Sequence, residues 1–267
     1  MSKYKKGTFL NIVSCDPVAW ETAFRRVQNL PSREHIEIWL EYIPKGKDRS
    51  ILQDMARHTE VIVHGPFIHT SLVSHLDALS DISLRRCMEG LEFASFIEAK
   101  VVTFHAGTYP LFDTRETAFE RLAKRFSQLA SLKSPVVTLE NLPVRKGTTV
   151  ECLGRLDDLR TFQTLMPDVR FTLDIGHSIQ NADDFELFLR EKSSCIENIH
   201  LHDGRAGKRS HLRLGAGTLD LPKLIELLGQ IGYSKYVSLE TISLEDTLAS
   251  WEVWLQAEQD NSSRAEW

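Results

Sequence analysis

Short runs rich in β-branched and aromatic residues recur along the chain, and most are followed by a stretch with helical spacing of apolar positions. The runs are TFLNIVS, IEIWLEYI, VIVHGPF, KVVTFHAG, PVVTLEN, RFTLDIG, IENIHLHD and YVSLE. Between them, PVAWETAFRRVQNL, SLRRCMEGLEFASFIEA, ETAFERLAKRFSQLASL, ADDFELFLREK and LPKLIELLGQIG place apolar residues three and four apart, which lines one face of a helix. Strands that alternate with helices pair in parallel through right-handed crossovers. Eight such units predict an α/β fold closed as a single (β/α)8 barrel of TIM type. An open doubly wound sheet shares the alternation and is the competing topology.

The length agrees with closure: 267 residues suit one barrel of about 250 residues. No Gly/Ser linker and no break in composition divides the chain, so residues 1–267 are expected to form one domain. The polar tail LQAEQDNSSRAEW is expected to fray from about residue 255. A net charge of −5 offers no broad attraction to nucleic acid or to an anionic membrane. No run approaches the roughly 18 apolar residues of a membrane span, and the start MSKYKKGTFLNIVSC is too interrupted for a signal peptide. Cys15, Cys87, Cys152 and Cys195 lack paired spacing and are expected to be reduced thiols of a cytoplasmic protein.

Position is the informative feature of the polar residues. The third predicted strand ends at His64, the fourth at His105 and the fifth at Glu140 with Asn141. The sixth ends at Asp174 with His177 three residues on. The seventh carries His200, His202 and Asp203, and the eighth ends at Glu240. In a barrel these carboxyl ends converge on one face, where active sites are built. A carboxylate at the end of an apolar strand is costly to bury unpaired. Glu140, Asp174 and Glu240 repeat that anomaly, and one shared cation resolves all three. Of His200 and His202 only one is expected to point into the mouth. His200 is preferred, which leaves Asp203 outside the ligand set and gives His202 a supporting role. His35, His58, His69 and His75 are expected at the surface. Trp39 and Tyr42 either line the mouth or pack against a helix. A mixed carboxylate and imidazole set suits Mn, Zn, Co, Fe or Mg without choosing among them.

These residues resemble the xylose-isomerase-like TIM-barrel superfamily, which includes sugar-phosphate isomerases and epimerases and endonuclease IV. The matching segments are VIVHGPF, VVTFHAG, VTLENLP, FTLDIGH, NIHLHDG, HLRLGAGTLDLPKLIELLGQIGY and VSLE, spanning the third strand to the eighth. The resemblance implies a divalent-metal centre at Glu140, Asp174, His200 and Glu240. It also implies an isomerase or epimerase of a small sugar, sugar phosphate or sugar acid. There Glu140 and Glu240 would be catalytic as well as ligating, moving a proton through an enediolate, and His177 would bind a substrate hydroxyl.

The endonuclease IV branch implies further ligands, which match His64, His105, His177 and His211. On that pattern a second metal at His64, His105 and Glu140 is allowed, and a metal-dependent phosphoesterase is the alternative function. A lyase or dehydratase on the same scaffold shares the proton abstraction. The branch's pattern has an aspartate two residues before its last histidine, where this chain has Arg209. An arginine cannot ligate a cation. It is expected either to contact an anionic group of the substrate, alongside His177 and His211, or to be a solvated loop residue. The partner implied is a small carbohydrate rather than nucleic acid or membrane, and a homo-oligomer is compatible with the sequence.

Overall fold

A computed structural model describes residues 3–12, 16–131 and 134–264. Eight strands close into a parallel barrel: β1 (Lys5–Ile12), β2 (His35–Leu40), β3 (Glu60–His64), β4 (Val101–Phe104), β6 (Val136–Glu140), β8 (Arg170–Asp174), β9 (Ile196–Leu201) and β12 (Tyr236–Leu239). All eight lie within or beside the runs seen in the sequence. The order β1-β12-β9-β8-β6-β4-β3-β2 is closed, which excludes the open doubly wound sheet.

Around the barrel lie α1 (Pro17–Val27), α2 (Lys47–Arg57), α3 (Asp77–Phe96), α4 (Arg115–Leu129), α5 (Leu156–Leu165), α7 (Phe185–Lys192), α8 (Leu221–Gln230) and α9 (Leu244–Arg264). A short helix, α6 (Ile175–Asn181), follows β8 directly. Two small antiparallel pairs decorate the carboxyl-terminal end: β5 (Thr108–Pro110) with β7 (Thr149–Glu151), and β10 (Asp203–Arg205) with β11 (Arg209–Leu212). Cys87, Cys152 and Cys195 are free and buried. Cys15 lies outside the described residues. Among the described residues no helix is long and apolar enough to cross a membrane.

Two expectations change. The tail after Trp254 does not fray at residue 255 but continues as helix to Arg264. Trp251 and Trp254 are buried there, Trp254 stacks on Tyr4, and Glu258 accepts from Tyr4 Oη at 2.8 Å and pairs with Lys6. The polar composition of the segment hid this, because the few apolar side chains that matter are two tryptophans one turn apart. His35 is not a surface residue: it lies in β2, fully buried, with Nε2 2.9 Å from Ser238 Oγ. Tyr42 packs near Trp20 of α1, the helix side of the choice left open for it, whereas Trp39 stacks on Phe67, a residue of the cavity wall.

The barrel interior is polar. Residues two apart on a strand share a face, so the residue two before each strand-end group points inward beneath it. Below His105, Glu140, Asp174, His200 and Glu240 those positions hold Thr103, Thr138, Thr172, Asn198 and Ser238, below His64 the apolar Ile62, and Glu37 lies on β2 below Trp39; all seven are fully buried. Thr172 Oγ1 lies 2.8 Å from both Thr103 and Thr138, and Asn198 Nδ2 donates to Glu37 Oε2 at 2.8 Å. TIM barrels more commonly fill this volume with branched apolar side chains. Here a hydrogen-bonded floor underlies the mouth.

The latch formed by α9 yields a stability prediction. Trp254→Ala should cost about 3–5 kcal/mol, the range for removing a buried large aromatic side chain. Denaturant unfolding monitored by circular dichroism checks this, and a change below about 1 kcal/mol would show that the helix end is not packed as described.

Candidate metal centre

The strand-end residues converge on one mouth. Glu140, Asp174, His200 and Glu240 present ligand-capable atoms all within 4.8 Å of one another, and so do His64, His105 and Glu140, and His177, His202 and His211. Glu140 belongs to two of the three groups. Its Oε2 lies 3.1 Å from His64 Nε2 and 3.2 Å from His105 Nε2, and those two nitrogens are 3.1 Å apart. Its Oε1 lies 3.3 Å from His200 Nδ1 and 3.4 Å from His177 Nδ1.

Short-range sequence explains how the groups are aimed. Asp174 ends β8 and caps α6, its Oδ1 accepting from His177 N at 2.6 Å. Asn141 ties β6 to β8: its Oδ1 accepts from Asp174 N at 2.7 Å, and its Nδ2 donates to Asp174 O at 2.9 Å. Gly176 has no Cβ because one there would overlap the His202 ring, which accounts for the glycine of DIGH. Gly217 likewise leaves room for the Asp203 carboxylate, which accepts backbone N–H groups from Gly204, Gly215, Gly217 and Leu219. Asp203 thus organises the LGAGTLD loop and stays away from the ligand groups.

The expectation that only one of His200 and His202 faces the mouth is wrong. The two-residue spacing carries both rings to the same side, and His202 Nε2 lies 2.9 Å from Asp174 Oδ2. Because His202 Nδ1 accepts the His211 backbone N–H at 2.8 Å, Nε2 carries the proton and donates to Asp174. With both nitrogens engaged, His202 holds Asp174 in place.

Three other imidazoles follow one rule. Each donates from one nitrogen to an oxygen that can only accept, so the other nitrogen faces the mouth as a lone pair. His64 Nδ1 donates to Gly65 O at 2.9 Å, His177 Nδ1 to Asn141 O at 2.9 Å, and His200 Nε2 to Glu37 Oε1 at 3.1 Å. His200 Nδ1 and Glu240 Oε2, 3.1 Å apart, are buried without a hydrogen-bond partner. Among the described residues, the only cationic partners of Glu37, Glu140, Asp174 and Glu240 are histidines. The His200 Nδ1 lone pair and Glu240 Oε2, facing each other without a donor beside Glu140, fit a cation. A tetrahedral ion with ligands about 2.0–2.2 Å away keeps them roughly 3.3 Å apart, close to the spacing around Glu140 Oε2.

Without a cation the imidazoles must hold protons. Burial opposes this at His177, but the Asp174 and Glu140 carboxylates outweigh it and raise its pKa to about 9. His200 is raised well above 6.5 against burial by Glu37, Glu140 and Glu240, and His64 is raised by Glu140. Glu140 and Glu240 are held below the usual carboxylate range: burial opposes, but the imidazoles prevail, His200 first at Glu140 and His211 first at Glu240. His105 and His211 are lowered by burial, His211 to about 4.

A cavity of about 250 Å³ opens over this floor, lined by His64, Phe67, His105, His177, His211 and Glu240 among others. Arg209 is exposed on β11 and is not among the lining residues, so the structure does not bring it to the substrate space with His177 and His211. The cation at the cavity is Arg145 instead, with Glu151 nearby. Neither was visible in the sequence: Arg145 sits in a loop without pattern, and Glu151 ends the short strand β7. Glu37 was also missed, since a glutamate alternating with apolar residues in IEIWLEYI, as Glu37 and Glu41 do, reads as the solvent face of a strand.

A family model described as xylose isomerase-like TIM barrel matches residues 23–261. The chain belongs to this family. The uncharacterized protein MJ1311 of Methanocaldococcus jannaschii is 24% identical over 246 residues, covering 88% of this chain and 78% of that protein. A D-tagatose 3-epimerase-like protein superposes with a TM-score of 0.79 at 21% identity, covering 98% of this chain and 99% of the other. Endonuclease IV from Thermus thermophilus superposes with a TM-score of 0.69 at 17% identity, covering 96% of this chain and 99% of the other. At these identities the structural likeness shows the shared xylose isomerase-like barrel and leaves the reaction open.

Protons and a cation compete for the same nitrogens, so cobalt affinity should depend on pH. His177, with its pKa raised to about 9, keeps its proton until the pH nears that value. Apparent affinity should climb as pH rises from 6.5 toward about 9 and level off above it, with protons released on binding below about 9. Calorimetry in two buffers of different ionisation enthalpy measures both, and an affinity flat from pH 6.5 to 9 would remove the competition.

Proposed function

We propose that this family member is a divalent-metal-dependent isomerase or epimerase of a small sugar-type substrate. The supporting observation is the small cavity lined by Glu140 and Glu240, whose carboxylates join Asp174 and His200 in one ligand-capable group beneath it. Its volume of about 250 Å³ lies just below the roughly 300–1,000 Å³ usual for drug-sized ligands, a scale suited to a small sugar. Phe67, Leu142 and Pro143 supply apolar wall, while Thr108, Glu151 and Arg145 supply groups that meet hydroxyls or a phosphate.

A bound divalent ion would polarise a substrate carbonyl and make the neighbouring C–H more acidic. The chain's own carboxylates then divide the work. Glu140 is 1% exposed, and imidazoles face both of its oxygens, so it holds rather than carries. Glu240 is 18% exposed at its side chain, lines the cavity and stays ionised. Glu240 is therefore the proposed base, taking the proton from the carbon next to the carbonyl and delivering it to the former carbonyl carbon in the isomerase course; the epimerase course needs a second group to return a proton on the opposite face. His177 and His211, whose Nε2 atoms lie 3.1 Å apart at the cavity wall, would bind substrate hydroxyls.

One observation favours a second reading. The His64, His105 and Glu140 triangle is a second ready donor set sharing Glu140 with the first, the arrangement a two-ion phosphoesterase needs. Likeness to endonuclease IV agrees with it in fold.

Incubation in deuterated water with free and phosphorylated keto- and aldo-sugars, followed by proton NMR, separates the readings. The metal-replete protein should exchange one C–H of a substrate, and Glu240→Gln should slow this about 10²–10⁴-fold, the usual worth of a general base. An active Glu240→Gln variant defeats the role given to Glu240. Two ions per chain with phosphodiester cleavage and no exchange would decide for the second reading.

A further inference from the structure

Glu37 is the least expected residue in the barrel. It lies in the middle of β2, completely buried, and among the described residues no lysine or arginine pairs with it. An isolated buried carboxylate is strongly unfavourable, so its neighbours must account for it. Its two oxygens each have one partner. Oε2 accepts from Asn198 Nδ2 at 2.8 Å, and Oε1 lies 3.1 Å from His200 Nε2. Both contacts cross the barrel, since β2 and β9 are separated by β1 and β12 in the closed sheet.

The donor directions along this line are forced. Ser238 Oγ donates to Asn198 Oδ1 at 3.3 Å, which turns the amide so that its N–H2 faces Glu37. Ser238 then accepts from His35 Nε2 at 2.9 Å. The sequence of donors is His35 to Ser238 to Asn198 to Glu37, and His200 donates to Glu37 from the other end. An amide does not pass protons readily, so the line orients groups rather than conducting protons. An ionised carboxylate accepts only, so His200 must place its proton on Nε2. That leaves Nδ1 as the lone pair, 3.1 Å from Glu240 Oε2 and 3.3 Å from Glu140 Oε1.

We infer that Glu37 is a positioning residue: it fixes the ring and tautomer of His200 so that Nδ1 faces the cation, and its charge makes that nitrogen a better donor. Asn198, Ser238 and His35 hold Glu37 in turn. Carboxylates behind ligating histidines do this in metalloproteins generally, and their loss typically weakens binding by about 10–100-fold. The inference rests on the proposed metal centre.

Cobalt titration of the intact protein, followed by visible absorption, tests it. Glu37→Gln offers one acceptor where two donors point, so cobalt should bind about 10–100-fold more weakly and with an altered absorption spectrum. Thr172→Val, in the same buried layer but with its hydroxyl bonded among the described residues only to Thr103 and Thr138, should keep the wild-type affinity and spectrum. Glu37→Gln binding cobalt as wild type does overturns the inference and leaves the metal centre standing. Wild type that refuses cobalt defeats the metal centre itself and the inference with it. A measurement on wild type alone covers a Glu37→Gln variant that does not fold. In the zinc-loaded protein, ¹⁵N NMR of labelled histidine should show His200 protonated on Nε2 with zinc on Nδ1; the reverse assignment overturns the inference.

Discussion

Four carboxylates, Glu37, Glu140, Asp174 and Glu240, are gathered at one end of a barrel with imidazoles as their only cationic neighbours among the described residues. Three of them are essentially inaccessible to water. Charge of one sign cannot be collected in a poorly solvated space unless protons or a cation balance it. The rest of the mouth follows from that constraint. Histidines stand opposite the carboxylates, their pKa values raised where carboxylates outweigh burial. The same nitrogens that hold protons when no ion is bound are those a divalent ion would take.

The second layer of the barrel makes this arrangement precise. Each mouth-facing imidazole of His64, His177 and His200 is anchored through its other nitrogen to an oxygen that only accepts. Two of those oxygens are backbone carbonyls, fixed by the chain itself. The third belongs to Glu37, a side chain that needs Asn198, Ser238 and His35 behind it. The threonine cluster at Thr103, Thr138 and Thr172 fills the other side of the same layer. Apolar side chains would pack this volume at lower cost in desolvation, but they could not orient a ring or choose its tautomer. The Glu37, Asn198, Ser238 and His35 side of the floor therefore belongs to the site as much as to the fold, while the threonine side serves the fold; together they depart from the branched apolar filling common in such barrels.

Glycines complete the fit where two polar groups approach a backbone. His202 lies against Gly176, and the Asp203 carboxylate lies against Gly217. Each of these two glycines marks a place where a ring or carboxylate occupies the volume of a Cβ. The β5–β7 and β10–β11 pairs then narrow the mouth and place Arg145, rather than Arg209, at the cavity.

Eight strands, their parallel order through helices and the residues at their carboxyl ends could all be read along the chain. These are local properties: runs of β-branched residues, helical periodicity, and a polar residue where an apolar run stops. Glu140, Asp174, His200 and Glu240 were legible for that reason, and so were His64, His105 and His177. What lies across the barrel became visible only in three dimensions. Glu37 and His35 meet His200 and Ser238 from strands separated by more than 160 residues in sequence, and a single polar residue in an apolar run does not say which face it takes. The support His202 gives Asp174, the packing of α9 through Trp254 and Glu258, and the reach of Arg145 to the cavity are of the same kind. Each depends on closure of the sheet, which brings distant strands face to face and sets which side chains share the enclosed, poorly hydrated space.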